Sequence, residues 1–120
     1  MNQKPLLIEN FDAEAAVAPY RVVTPGTADH AVVQGSAATD VLIGVTDRLG
    51  ADAAGDRIDV ITAGVAMVEY GGTITRGARL TSDANGAVVA ATTGQQSIGI
   101  ARVSGVSGDI GSVQIAPCLA

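Results

Sequence analysis

Alternating apolar and polar residues, interrupted by glycines, mark the middle of the chain. In the stretch 55–90, Ile58 and Val60 alternate with Arg57 and Asp59. In an extended segment, alternate side chains point to opposite faces, so the two apolar residues share one face and the two charged residues share the other. This period of two predicts a half-buried β-strand.

Further strands and turns are predicted within the same stretch. Residues 65–70 are apolar at nearly every position, as in a strand covered on both faces. The glycine pair at 71–72 breaks that strand, and residues 78–81 alternate again. The turn residues Asp-Ala-Asn-Gly at 83–86 then precede an apolar return at 87–90. Together these segments predict a β-meander.

The rest of the chain continues the same pattern of short apolar segments separated by glycine and proline turns, with almost no helical period. Such a pattern is typical of an all-β fold, here a small β-sandwich or barrel. The composition changes near residue 20, which predicts an extended N-terminal arm over residues 1–20 and a β-domain over residues 21–120.

The N-terminal arm holds the bulkiest apolar cluster of the chain, formed by Leu6, Leu7, Ile8 and Phe11. Two placements are open for it. The segment could be a first strand within the body's own sheet, or an arm that reaches a neighbouring subunit. On the second interpretation these four residues are the predicted partner-binding residues.

The order of motifs after residue 20 occurs twice, at an offset of about 55 residues, as expected for an internal repeat. The matching segments are 21–24 with 79–81, 32–33 with 88–89, 42–45 with 97–100, and 55–60 with 108–113. This internal repeat predicts that a strand-turn-strand unit is duplicated.

Composition limits the core and the partners. Apolar residues make up 48% of the chain, yet there are one Phe, two Tyr and no Trp, so the core is predicted to be aliphatic. Only 16% of residues are charged and the mean hydropathy is +0.35, which favours a homo-oligomer or a docked subunit over a monomer with scattered apolar surface residues.

Charge and hydropathy also bear on location. The net charge of −5, with no basic stripe, argues against a nucleic-acid partner. The apolar run at 6–8 is too short for a signal peptide or a membrane span, so we expect no membrane partner and synthesis in the cytoplasm.

Reactive side chains are sparse. His30 is the single histidine and is expected to face solvent, and Cys118 is the single cysteine. A hydrolase or a zinc site would therefore lack marked partners. Asp83 and Asn85 fit a hairpin turn better than a calcium loop. We expect no enzyme, no metal and no cofactor.

Five segments carry a resemblance to a known family: 42–47, 64–68, 71–77, 82–88 and 98–101. In this order the chain resembles the capsid cement, or decoration, proteins of tailed bacteriophages, a family long described as a domain of unknown function. The resemblance extends from about Arg21 to Pro117. Each motif is a glycine turn with small apolar residues, and it is their order that is specific.

The resemblance implies a structural protein that binds the outer surface of an assembled phage head and stabilises contacts between adjacent major capsid subunits. It implies the major capsid protein and further copies of this chain as partners, with a trimer favoured and a dimer as the alternative. The expected location is the outer capsid surface of the virion, after synthesis in the host cytoplasm.

A second functional class stays open. A β-domain on a virion could instead bind carbohydrate or mediate adhesion. Sugar sites usually present aromatic rings, for which the chain offers Phe11, Tyr20 and Tyr70.

Overall fold

The structure, a computed structural model, describes residues 3–120. All regular secondary structure in this range is β-strand, which confirms the predicted all-β class. The nine strands are β1 (Lys4–Ala13), β2 (Val22–Pro25), β3 (Ala31–Gln34), β4 (Gly44–Thr46), β5 (Arg57–Glu69), β6 (Arg79–Ser82), β7 (Val88–Ala90), β8 (Gln96–Ala101) and β9 (Ile110–Leu119). They form one sheet in the order β1-β3-β2-β4-β5-β9-β8-β6-β7.

The N-terminal segment lies within this sheet. β1 pairs antiparallel with β5 from Lys4 to Asp12 and parallel with β3 at Asp12 and Ala13. This is the first of the two placements that the sequence left open. Because β1 pairs with both β3 and β5, the strands β1, β3, β2, β4 and β5 follow one another in a closed ring.

β5 is a single strand of 13 residues where the sequence predicted two. Its first part has the predicted alternation, since Ile58 and Val60 are buried and Arg57 is exposed. The predicted meander is wrong, because β9 and β8 lie between β5 and β6 in the sheet. Pairing of β5 with β9 joins segments that are far apart in the chain, which local turn signals do not encode.

The predicted duplication is confirmed by the strand order. The first half of the sheet reads β3-β2-β4-β5, and the second half, read inward from the opposite edge, is β7-β6-β8-β9. The register repeats as well. Equivalent residue pairs are Val23–Gly44 and Leu80–Gly99, Thr24–Val33 and Thr81–Val89, and Thr46–Val60 and Ala101–Val113.

The two units share β5. Its first half closes the first unit against β4 and β1, and its second half pairs with β9 as β1 pairs with β5. The pair Glu9–Val60 in the first unit corresponds to Ala66–Val113 in the second. Each unit therefore has five strands, and β5 is the last strand of one and the first strand of the other.

Two buried clusters form the core. The first-unit cluster contains Ala13, Val17, Val23, Val32, Ala51, Ile58 and Val60. The larger cluster lies in the second unit and extends across the junction; it contains Val22, Leu42, Val45, Ile61, Ala66, Val68, Tyr70, Ile74, Leu80, Val88, Ile98, Ala101 and Val113. Apart from Tyr70 the side chains of both clusters are aliphatic, as the composition predicted.

Equivalent positions of the two cores exchange large and small side chains. Ala13, Ala51 and Ile58 of the first unit correspond to Tyr70, Gly105 and Gly111 of the second. The two glycines leave room for the ring: a Cβ atom on Gly105 would lie 2.8 Å from Tyr70 Cδ2, and one on Gly111 would overlap Tyr70 Cζ. The Tyr70 hydroxyl donates to the Val103 carbonyl at 2.8 Å.

The two units also carry a carboxylate at different positions, each facing a glycine of its own unit. In the first unit Glu14 reaches the β2–β3 loop, where its side chain accepts hydrogen bonds from Thr27 N–H at 2.8 Å, Thr27 Oγ1 at 2.9 Å and Ala28 N–H at 3.1 Å. Gly26 makes room for it, because a Cβ there would meet the Glu14 carboxylate. These hydrogen bonds, above all those from Thr27, lower the pKa of Glu14 below its ordinary value.

In the second unit the carboxylate belongs to the loop itself. Asp83 corresponds to Gly26, and Gly71, which corresponds to Glu14, leaves space for it. Asp83 Oδ1 accepts hydrogen bonds from Asn85 N–H at 2.8 Å and Ala87 N–H at 3.1 Å. This confirms that Asp83 and Asn85 form the turn of the β6–β7 hairpin.

In the described part of the chain, two residues other than glycine have a left-handed backbone, Tyr20 with φ 58° and His30 with φ 61°. Their equivalents in the second unit are Gly77 and Gly86, with φ 92° and 75°. The first unit therefore has two side chains at positions where the backbone favours glycine. His30 is exposed, as predicted.

The exchange of large and small side chains predicts strong coupling between Tyr70 and Gly111. Tyr70→Ala leaves a cavity and should cost about 3–5 kcal/mol of unfolding free energy, and Gly111→Ile overpacks the core and should cost about 1–3 kcal/mol or more. The double variant recreates the first unit's pair of alanine and isoleucine. Denaturant unfolding should show a loss well below the sum; additive losses would contradict the packing account.

Glu14 makes a pH-dependent contribution to stability. Its folded pKa lies below the unfolded value of 4.5, so the contribution is complete above pH 4.5 and is lost as pH falls through the folded pKa. Glu14→Gln should therefore destabilise the protein at neutral pH and differ less from wild type in acid. Thr27→Val, which removes one donor, should reproduce part of this effect. If wild type and Glu14→Gln lose the same amount of stability as the pH falls, the Glu14 carboxylate makes no such contribution.

His30→Gly should raise the free energy of unfolding by about 0.5–1 kcal/mol, because relief of the left-handed strain outweighs the larger entropy of glycine in the unfolded chain. His30→Ala is the matched control: it removes the same imidazole but keeps a Cβ, so it should give no such gain. Equal stability of the two variants would show that the backbone at His30 is unstrained.

Candidate partner-binding surface

The predicted partner-binding residues divide into two groups. Leu6, Leu7 and Ile8 are exposed, with 83%, 49% and 50% of their surface accessible. Phe11 is half-buried and packs against the first-unit core cluster, opposite Ile58 of β5. The structure therefore places three of the four side chains on the surface and assigns the fourth a part in the core.

A bulge shapes this part of β1. The register between β1 and β5 shifts between Pro5 and Leu7, where Leu6 is an extra residue on β1, and again between Leu7 and Ile8, where Thr62 is an extra residue on β5. Opposite Leu6, Gly64 has φ 96°, and a Cβ there would lie 2.6 Å from Leu6 N. Only glycine allows the two backbones to approach this closely. The glycine within the apolar run of β5 was the one sequence signal for this bulge.

The outer edge of β1 is open. Within residues 3–120, the side of β1 away from β5 pairs only at Asp12 and Ala13, which contact β3. Residues 4–10 are all exposed. We call this segment, residues 4–10 with their unpaired side, the β1 edge. Unpaired main-chain groups on an edge strand can accept another strand, although Pro5 has no N–H to donate to it.

A shallow groove of about 520 Å³ adjoins the β1 edge. Its apolar lining comes from Leu6 with Ala63, Val65 and Ile115, and its polar lining comes from Lys4, Arg102 and Gln114. The groove therefore joins the exposed Leu6 of β1 to side chains of β5 and β9.

The polar side chains that line a groove on the neighbouring surface hydrogen-bond to one another. The amide of Asn10, oriented by its neighbours, donates to Asp59 Oδ1 at 2.5 Å and accepts from the Arg57 guanidinium at 2.6 Å. In the adjoining loop, Asp47 Oδ1 accepts from Leu49 N–H at 2.9 Å. Within residues 3–120, no three His, Cys, Asp or Glu side chains are grouped so as to hold a metal ion.

Tyr70 offers no ring to a ligand. It is fully buried, and burial, with a smaller contribution from the charge of Asp109, raises the pKa of its phenol. Of the aromatic residues considered for a sugar platform, Phe11 and Tyr20 remain half-buried. Cys118 is exposed as a free thiol and accepts a hydrogen bond from Arg79 at 3.2 Å. No helix long and apolar enough to span a membrane occurs in residues 3–120.

Comparison with solved structures shows a fold likeness. The chain is similar to the N base of the head fiber gp8.5 in bacteriophage phi29, with a TM-score of 0.74 and 18% sequence identity. The similarity covers 92% of this chain and 93% of that chain. Neither a protein-family profile nor a curated protein matches the sequence. At this identity the likeness establishes a shared fold along nearly the whole chain.

Proposed function

We propose that this chain is a structural, non-enzymatic protein of a phage head, a decoration protein that binds the outer surface of the assembled shell. The observation that carries the proposal is the fold likeness to the phi29 head fiber N base over 92% of the chain. The ordered motifs that resemble capsid cement proteins support the same function from the sequence side.

Charge supports an outer location. The net charge of −5 carries the same sign as packaged DNA, and a protein bound at the inner face would be repelled by it. On the outer face the major capsid protein is the partner, and bridging adjacent capsid subunits stabilises the shell. Synthesis in the host cytoplasm precedes this attachment.

The exposed apolar surface supports docking as an oligomer. Leu6, Leu7 and Ile8 lie on an unpaired strand edge, where burial against a neighbour removes apolar area from water and completes main-chain hydrogen bonds. A homo-oligomer binds a symmetric shell at several points, and avidity can then exceed single-site affinity by roughly 10²–10⁴.

Binding to heads tests the proposal directly. Purified protein is mixed with expanded heads assembled without it, and the heads are sedimented. We expect saturable binding at a fixed copy number per capsid subunit, because the shell repeats one site, and greater resistance of decorated heads to heat. Free DNA should not retain the protein.

Unexpanded heads are the control, since their subunits are arranged differently. Failure to sediment with expanded heads, or equal retention on free DNA, would contradict the proposal. Deletion of β1 is unsuitable as a test, because it would remove the ladder along β5 and expose the first-unit core cluster at Ala13.

A further inference from the structure

The β1 edge has a self-complementary sequence. From residue 4 it reads Lys-Pro-Leu-Leu-Ile-Glu, with a cation at one end, an anion at the other and apolar residues between. Read antiparallel, the same sequence presents Glu opposite Lys at both ends. All six residues are exposed, and none pairs on the side away from β5 within residues 3–120.

The bulge gives this pattern the correct phase. Side chains alternate between the two faces of a strand, so residues five positions apart, such as Lys4 and Glu9, normally point to opposite faces. The extra residue Leu6 restores the phase and places Lys4, Leu7 and Glu9 on one face of β1. Residues that lie directly opposite in an antiparallel pair share a face, so Lys4 and Glu9 satisfy this requirement.

The second unit shows that such an edge accepts a strand. The residues of β5 that correspond to the open part of β1 are 61–65. In β5 the equivalent edge is occupied by β1 itself, which runs antiparallel with Lys4 opposite Val65 and Ile8 opposite Ile61. The first unit has the same position, and there it is empty within residues 3–120.

We propose that the β1 edge binds the β1 edge of a second copy of this chain across a two-fold axis. In this pairing Lys4 lies opposite the partner subunit's Glu9, Pro5 lies opposite the partner subunit's Ile8, and Leu7 meets its own counterpart on the axis. The two sheets join into one continuous sheet, and Leu6, Leu7 and Ile8 become covered. Such a two-fold contact specifies a dimer rather than the trimer that the sequence resemblance favoured.

Charge complementarity selects a second copy over another occupant. An unrelated strand could satisfy the main chain, but the placement of one cation and one anion at equal distances from the centre is the pattern that a self-pairing strand requires. Glu9 remains available for this pairing, since within residues 3–120 its side chain accepts one hydrogen bond, from Thr62 Oγ1 at 3.2 Å. The inference is independent of the proposed function, because it concerns the free protein in solution.

Charge reversal and its rescue test the pairing. Sedimentation equilibrium of the full chain, without heads, should show a concentration-dependent dimer. Lys4→Glu and Glu9→Lys each place like charges opposite one another twice per dimer and should weaken dimerisation about tenfold. The double variant K4E/E9K restores opposite charges and should restore dimerisation. Arg76→Glu, a reversal at another exposed position, is the matched control and should have no effect.

Disulfide cross-linking tests whether Leu7 lies on the two-fold axis. In a Cys118→Ser background, Leu7→Cys should form an intermolecular disulfide under mild oxidation, because the two copies of this residue face one another at disulfide distance. Ile8→Cys, on the opposite face and away from the axis, should cross-link far less. Circular dichroism and thermal unfolding of each variant confirm that the fold is retained.

Three results would overturn the inference. Wild-type protein could remain monomeric across the concentration series, the double variant could fail to restore what the single variants lose, or Ile8→Cys could cross-link as well as Leu7→Cys. Charge variants that alter binding to heads but leave the solution mass unchanged would assign the β1 edge to a capsid strand. Head binding by a strict monomer would refute this inference and leave the proposed function intact.

Discussion

Hydrogen bonding on both sides of β5 is the constraint on which the rest of this fold depends. One strand of 13 residues closes the first unit and opens the second, pairing with β4, β1 and β9 along its length. Neither unit has a complete set of strands without it. The larger buried cluster also crosses the junction, since Val22 and Val45 of the first unit pack with Leu80 and Val113 of the second. The two units are therefore one cooperative body.

Local sequence signals predicted much of this architecture. Period-two alternation located the first part of β5, the Asp-Ala-Asn-Gly turn located the β6–β7 hairpin, and the repeated motifs aligned residue pairs that the sheet register also aligns. The order of strands could not be predicted, because β9 and β8 reach their places through contacts far apart in the chain. Two strands were predicted where β5 is one continuous strand, and Gly64 permits a bulge within it.

The candidate surface was predictable in composition and not in geometry. The apolar run at residues 6–8 identified three adjacent exposed side chains, whereas the other exposed large apolar residues, such as Leu49 and Leu119, occur singly in the described chain. Phe11 differs because its position opposite Ile58 turns it toward the first-unit cluster. An open edge has no signature of its own in a sequence, because it is defined by the strands that do not pair with it. Likewise, Lys4 and Glu9 lie on the same face of β1 because of the bulge at Leu6, and this bulge is seen only in the pairing of β1 with β5.

The exchange of Ala13 and Ile58 for Tyr70 and Gly111, and of Glu14 and Gly26 for Gly71 and Asp83, has a consequence for any attempt to make the two units alike. In each exchange a large group lies against a small one, so the two positions of a pair have to be substituted together if the space between them is to stay filled. A unit that took the ring of Tyr70 from one half and Ile58 from the other would place a ring and a branched side chain in one cavity. Idealised versions of this repeat therefore have to carry these sites as pairs.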